Sequence, residues 1–331
     1  MLADQILAAA AQTWPPFVLV AGLLLIGAVA AQEGLFEAAG TAIARARVGA
    51  VTLLLALLAL DACVTAVLNL DTAVVFLTPV LVHAARSRGL DERPFLYGSV
   101  LMANTSSTLL PGSNLTNLLV VGAGSGGSFA RHMLPAWLAS SALTAVLLAL
   151  VLPPRAEPHA CAATTSCLRF GVGTAAIGGA AVAVLALPNP ALPVAAVGVA
   201  ACVLKRLPPR LDARMPTLLF LAAVALGTAA RAWSVPAVGG RWATGGVAAL
   251  ASVVVNNLPA AVLFSARPPA HPLALLLGLD LGPNLAVTGS LSAVLWLRAA
   301  RGAGARPSVV TYSLLGALVV PPTLAVSLAL S

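Results

Sequence analysis

The chain has 331 residues, of which 60% are hydrophobic and 8% charged, against about 25% charged in an ordinary soluble domain. A crossing helix takes about 20 apolar residues, so this length is filled by on the order of ten membrane segments and excludes a sizeable soluble enzyme domain. The net charge of +8 comes from 17 Arg and one Lys spread over loops, without the basic stripe or aromatic platform of a nucleic-acid binder, and reads as loop charge that sets orientation.

Residues 1–13 carry Asp4 and no Arg or Lys, which argues against a cleaved signal peptide. Apolar segments follow at 16–31, 48–68, 72–85, 94–121, 132–152, 170–187, 190–204, 216–232, 244–266, 272–297 and 308–330. Four are interrupted by polar residues: around Asn69 and Asp71, from Ala103 to Asn117, around Asn256, and from Leu279 to Ser290. Unpaired backbone groups are costly in lipid, so such breaks survive only when buried in protein or facing a water-filled cavity. Four of them point to one shared site. Four Cys in a chain this long make no disulfide framework, and Cys63 and Cys202 lie inside apolar runs.

The arginines favour two re-entrant hairpins. With Arg45 and Arg47 inside, a hairpin over 48–85 with its tip near Asn69 to Asp71 also leaves Arg86, Arg88 and Arg93 inside. The span 94–119 then exits and 132–152 returns. The pair 170–187 and 190–204 goes out and back, keeping Arg155, Arg169, Lys205, Arg206, Arg210 and Arg214 inside. Next, 216–232 exits, 244–266 forms an outer hairpin tipped by Asn256 and Asn257, and 272–297 returns to put Arg298, Arg301 and Arg306 inside. Only Arg131, Arg231, Arg241 and Arg267 fall outside.

The expected fold is therefore an all-α polytopic membrane protein, an inverted-topology repeat with two re-entrant hairpins and two broken helices. Residues 1–152 read as span, inner hairpin, broken helix and span. Residues 153–213 hold a connecting loop and a central helix pair, and 214–331 read as span, outer hairpin, broken helix and span. Locally "NLDTAVV" from Asn69 lines up with "NNLPAAV" from Asn256, and "SNLTN" from Ser113 with "PNLAV" from Pro283. Secondary transporters are often built this way, with broken helices meeting at the midplane to hold substrate and coupling ion.

The chemistry at the breaks is uncharged and hydrogen-bonding. Asn104, Thr105, Ser106, Asn114, Thr116 and Asn117 surround one broken span, and Asn256, Asn257, Asn284, Thr288 and Ser290 its inverted partners. Amides and hydroxyls both donate and accept, which suits a neutral polyhydroxy solute or a desolvated cation. They also serve simply to satisfy backbone freed by Pro111, Pro259 and Pro283. Asp71 and Asp280 are carboxylates within apolar runs, where an ionisable group is a functional expectation. Both are candidates for proton coupling, with helix capping or bracing of the break as the structural alternative. Asp61 is expected to pair with a neighbouring helix. The loop "HACAATTSC" holds His159, Cys161 and Cys167, but its spacing matches no metal motif, so neither a metal nor a cofactor is expected. His83 is expected at the interface.

At the four breaks the sequence resembles the arsenite/antimonite efflux permease (ArsB) family of the ion transporter superfamily. The segments "NLDTAVVFLTPVL", "ANTSSTLLPGSNLTNLLVV", "VVVNNLPAAVLF" and "LDLGPNLAVTGSLSAVLWLR" carry the resemblance, which runs from about Trp14 to the C-terminus. It departs at the first tip, where Leu70 rather than Asn precedes Asp71, and in the lack of two N-terminal helices usual in that family. The resemblance implies export of arsenite or antimonite from the cytoplasm, in exchange for protons or with an arsenical ATPase subunit. It also implies residence in the cell membrane, the inner membrane of a bacterium, and a homodimer. A sodium/proton antiporter, an organic-anion carrier and a transport-inactive accessory subunit remain alternatives. An embedded enzyme lacks both a His/Glu metal motif and a nucleophile with a nearby base.

Overall fold

The computed structural model describes residues 2–121, 126–157, 171–187, 189–208, 214–232 and 239–331. Among them the chain is helical, with no strand beyond an isolated bridge between Leu90 and Ala156. The loop holding His159, Cys161 and Cys167 lies outside the described residues.

The first half comprises α1 (Leu2–Gln32), α2 (Leu35–Arg45), α3 (Ala50–Val67), α4 (Leu70–Ser87), α5 (Arg93–Ser106), the 3-10 turn η1 (Pro111–Ser113), α6 (Leu115–Val121) and α7 (Gly126–Val151). A pair follows, α8 (Val172–Ala186) and α9 (Ala191–Leu204). The second half comprises α10 (Arg214–Ala232), α11 (Arg241–Val255), α12 (Asn257–Ser265), α13 (Pro272–Leu281), the turns η2 (Gly282–Leu285) and η3 (Val287–Gly289), α14 (Leu291–Gly302) and α15 (Val309–Leu330). Ala3–Gln32, Ala50–Val67, Gly126–Val151 and Val309–Leu330 are long and apolar enough to cross a membrane.

Both hairpins turn where the sequence places their tips. The α3–α4 hairpin breaks at Leu68 and Asn69, and the α11–α12 hairpin at Asn256, which has a left-handed φ of 74°. The two broken helices are α5–η1–α6 and α13–η2–η3–α14. Hairpin and broken helix pack within each half, α3 on α5 and α11 on α13. They also exchange partners across the halves, with α4 against α14 and α12 against α6, while α7 packs on α15.

Hydrogen bonds sort the helix ends into two groups. At one end Arg88 closes the first hairpin by donating to the carbonyls of Ala44, Ala46 and Val48 at 2.8, 2.8 and 2.9 Å. The Asp91 N–H donates to Arg155 O at 2.8 Å, Arg86 donates to Ala303 O at 2.7 Å, and the Ser308 N–H donates to Tyr97 Oη at 2.8 Å. Glu33 belongs to the same end. It accepts from the N–H groups of Val172 and Gly173 at 3.0 and 2.8 Å and pairs with Lys205 at 2.6 Å. Burial pushes its pKa up, but the Lys205 ammonium and the two helix N-terminal N–H groups outweigh that and hold it below the usual Glu range. At the opposite end Gln12 donates to Leu119 O at 3.1 Å and accepts from Arg231 at 2.5 Å, and Arg241 donates to Ser331 O at 3.3 Å. The two hairpins thus enter from opposite ends, which is the inversion expected from the arginines.

Two elements differ from the sequence expectation. α1 starts at Leu2 and continues through Pro15 and Pro16, giving about 46 Å of helix against a hydrocarbon core of about 30 Å. Residues 35–45, which carry no long apolar run, form the amphipathic α2. It buries Phe36, Ala38, Gly40 and Ala44, stacking Phe36 on Phe76 of α4 at 5.7 Å between ring centroids. Gly34, with φ of 72°, provides the left-handed turn into it.

Small residues bring backbones together around the breaks. A Cβ on Gly282 would run into Ala249 and Ser252 of α11, and one on Gly316 into the Asn284 carbonyl, the close approach that small residues allow between membrane helices. Trp296 is fully buried, donates from Nε1 to Leu96 O at 2.9 Å, and lies 5.5 Å from the ring of Tyr312. Tyr312 in turn donates to Pro283 O at 2.8 Å, bracing the second break.

Candidate functional site

Each half-helix that restarts after a tip or break is capped by a side chain from that tip or break. Asn69 Oδ1 accepts from Thr72 N at 2.6 Å, Asn114 Oδ1 from Thr116 N at 3.3 Å, Asn256 Oδ1 from Leu258 N at 3.2 Å, and Ser290 Oγ from Ala293 N at 3.2 Å. Each cap satisfies one of the four N–H groups that a helix start leaves free. Capping of α4 therefore falls to Asn69, and the Asp71 carboxylate is released to bond elsewhere.

The two broken helices bind each other through paired amides. Asn104 Nδ2 donates to Asn284 Oδ1 at 2.9 Å and to Val100 O at 3.2 Å. Asn284 Nδ2 donates to Leu101 O at 3.1 Å and Thr105 Oγ1 at 3.4 Å. Thr105 also lies 3.3 Å from Thr144 Oγ1 of α7. In the other direction Asn114 Nδ2 donates to Asp280 Oδ1 at 2.9 Å and Ser107 Oγ at 3.2 Å, and Thr116 Oγ1 donates to the same Asp280 oxygen at 2.5 Å. Each break thus sends its Asn to the first half of the other broken helix, the tertiary counterpart of the local similarity between "SNLTN" and "PNLAV". All these side chains are buried.

The remaining expected residues divide between bracing the backbone and linking the hairpins. Ser106 Oγ donates to Met102 O at 2.7 Å within its own helix, and Asn117 Nδ2 donates to Ser107 O at 2.8 Å and Leu110 O at 3.1 Å across the first break. Ser113 also bonds Ser107 O there. Asn256 Nδ2 donates to Thr288 O at 3.1 Å, and Thr288 Oγ1 to Val253 O at 3.1 Å, tying the second hairpin to η3. Asn257 is buried at the start of α12. Asp71 accepts from Ser292 Oγ of α14 at 2.5 Å, joining the first hairpin tip to the second broken helix. Asp71 and Asp280 share no hydrogen-bonding partner: one belongs to the tip, the other to the centre.

At the two breaks the buried side-chain atoms left open are acceptors. Asp280 Oδ2, Asn104 Oδ1 and Asn117 Oδ1 are buried without a partner. The amide orientations follow from the surroundings, because the NH2 group of Asn104 and of Asn117 faces two acceptor oxygens. Open acceptors of this kind suit a solute that donates hydrogen bonds, or a cation.

Sequence reasoning missed Ser107, Thr144 and Ser292. Ser107 and Ser292 lie within the motif segments and were within reach. Thr144 is a hydroxyl in mid-span with no local signal. Asp61 is a correction: it was expected to pair with a neighbouring helix, yet it is fully buried and neither carboxylate oxygen has a partner. His83 is exposed near the end of α4.

Among solved structures, the chain is similar to the YdaH transporter of Alcanivorax borkumensis, described as having an unusual topology. The TM-score is 0.59 and the identity 16%, with 99% of this chain and 87% of that one covered. At that identity the likeness establishes the fold alone. A search of curated proteins found no match. The family model described as citrate transporter (CitMHS) matches residues 1–298, most of the length and all four breaks, and the chain belongs to that family.

Proposed function

We propose that this chain is a secondary carrier that exports arsenite or antimonite from the cytoplasm, in exchange for protons. The observation that carries the reading is the chemistry of the open atoms at the two breaks. A trihydroxy metalloid is uncharged and offers three O–H donors, and the partnerless atoms there are the acceptor oxygens of Asp280, Asn104 and Asn117. Such a solute replaces lost water contacts without bringing an uncompensated charge into the membrane. No Arg or Lys lies within the four breaks to hold an anion. Asp71 and Asp280 are the proton-coupling groups of this reading. The end that gathers Arg45, Arg47, Arg86, Arg88, Arg93, Arg155 and Lys205 is then cytoplasmic, in the cell membrane of a bacterium. A homodimer and an arsenical ATPase subunit are the partners the reading allows.

A second reading, an organic-anion carrier for citrate, is supported by the family match over residues 1–298. Its carboxylates would rely on the first-turn N–H groups that the four caps leave free, since helix N-termini favour anions. Everted vesicles carrying the chain separate the two. The first reading expects proton-driven accumulation of arsenite or antimonite, and metalloid resistance in an exporter-deleted bacterium. Citrate flux without metalloid flux refutes it and supports the second.

A further inference from the structure

The geometry points to a proton-binding site inside the first hairpin, formed by Asp61 and Thr65 and separate from both Asp71 and Asp280. Asp61 lies in the fourth turn of α3, on the face that buries Leu54, Leu57 and Leu58. Thr65 follows one turn later, and spacing of four residues puts both side chains on one face. Both are fully buried, and Asp61 Oδ1, Asp61 Oδ2 and Thr65 Oγ1 all lack partners. Three other Thr residues buried in helices, Thr13, Thr105 and Thr323, donate to the carbonyl one turn back. Thr65 does not.

The row continues to the tip. Asn69 Nδ2 and Thr72 Oγ1, both buried, are also open. At 1.5 Å per residue, Asp61 to the end of α3 at Val67 spans about 9 Å, so unpaired polar atoms lead from the polar tip back to the acid.

A lone carboxylate in a membrane interior costs at least about 2.5–3.5 kcal/mol on insertion scales, and among the described residues no counter-charge meets this one. The elements packed on α3 are α2, α4, α5, α7, α8 and η1. Their ionisable groups are Glu37, Arg45, Asp71, His83, Arg86, Arg93, Tyr97, Arg131 and His132, all within about two turns of a helix end, and none bonds Asp61. Two carboxylate oxygens and one hydroxyl are too few for a metal ion, which takes about six oxygen ligands. A proton needs only one oxygen, and Thr65, open and one turn along the same face, is the hydroxyl that a side-chain rotation would bring to the acid O–H so formed. One O–H bond forms on uptake and breaks on release; nothing else changes.

The purpose of the site rests on the carrier reading, but its occupancy is testable without any solute. Infrared difference spectra of the purified full chain in detergent, between acid and alkaline buffer, should contain the carbonyl stretch of a protonated carboxylic acid that disappears on alkalinisation. Asp61→Asn should remove that band, while Asp71→Asn and Asp280→Asn keep it. Thr65→Val, which retains the acid, should move the band in frequency and midpoint, so the test stands even where Asp61→Asn fails to fold. A spectrum unchanged by both the Asp61 and Thr65 replacements overturns the site, as does an Asp61 band that persists at every pH. A pH-sensitive Asp61 band in a protein that moves no metalloid leaves the site standing and refutes only the proposed solute.

Discussion

The amide pair between the broken helices can be tested as a thermodynamic cycle. Asn284→Ala takes away the acceptor for Asn104 Nδ2 and the donor to Leu101 O and Thr105 Oγ1. Those last two still have each other, since Thr105 Oγ1 donates to Leu101 O at 2.8 Å, and Asn104 Nδ2 still has Val100 O. The loss is therefore near the middle of the range of about 1–3 kcal/mol for a buried group left unpaired, or about 2 kcal/mol. Asn104→Ala strands the Asn284 Oδ1 acceptor and should cost a similar amount. The double replacement loses the shared bond only once, so it should cost less than the sum of the singles by about 1 kcal/mol, the net worth of one buried neutral hydrogen bond. Reversible unfolding of the purified protein in detergent measures all three. The same cycle read through substrate affinity should show each single weakened about 30-fold if the full loss of about 2 kcal/mol appears in binding. Energies that add within about 0.3–0.5 kcal/mol would show that the two amides are not coupled, and the bridge between the breaks would be refuted.

Three further outcomes are expected. Asp71→Asn should abolish proton-driven export and Asp280→Asn impair it less, whereas unchanged proton-driven flux in both variants removes them from coupling. Cysteine at Gly239 and Gly302, where an added Cβ meets nothing within 4 Å, should be labelled from outside and inside respectively, and the reverse pattern inverts the orientation. Glu33→Gln should lower stability by about 1 kcal/mol at neutral pH, a partly exposed ion pair with helix-terminal contacts. Because the folded pKa of Glu33 lies below its ordinary value of about 4.3, that contribution is present above the ordinary value and is lost as pH falls through the folded one. The variant and the parent should then unfold alike in strong acid, and a gap that persists there would contradict the ion pair.

Breaks at membrane depth were the legible part of the fold, because Asn69, Asn114, Asn256 and Pro283 stand in apolar runs where only a shared polar environment tolerates them. The arginines likewise gave the hairpins opposite entries without any contact being known. α2 escaped because an amphipathic eleven-residue helix has neither the length nor the apolar content by which a span is recognised. Within the site, residue type was readable but role was not: Asn114 and Asn117 are two turn-neighbours of one motif, yet one crosses to Asp280 and the other ties down its own break. Those roles depend on which helix lies opposite, as does the isolation of Asp61, and local sequence carries no record of it.

The Arg88 clamp has a mechanical consequence. Its guanidinium holds three successive alternate carbonyls from Ala44 to Val48, so the link between α2 and the first hairpin is stapled, and charge-assisted bonds of this kind are worth about 1.5–3 kcal/mol each. Should the hairpin shift during a transport cycle, α2 travels with it as a stiff lever, and the compliance must lie at the lever's other end. There Gly34, left-handed and with open space around its Cα, is the one joint between the lever and the long α1, and rigidity introduced at that joint would be felt at the hairpin tip, two helices away.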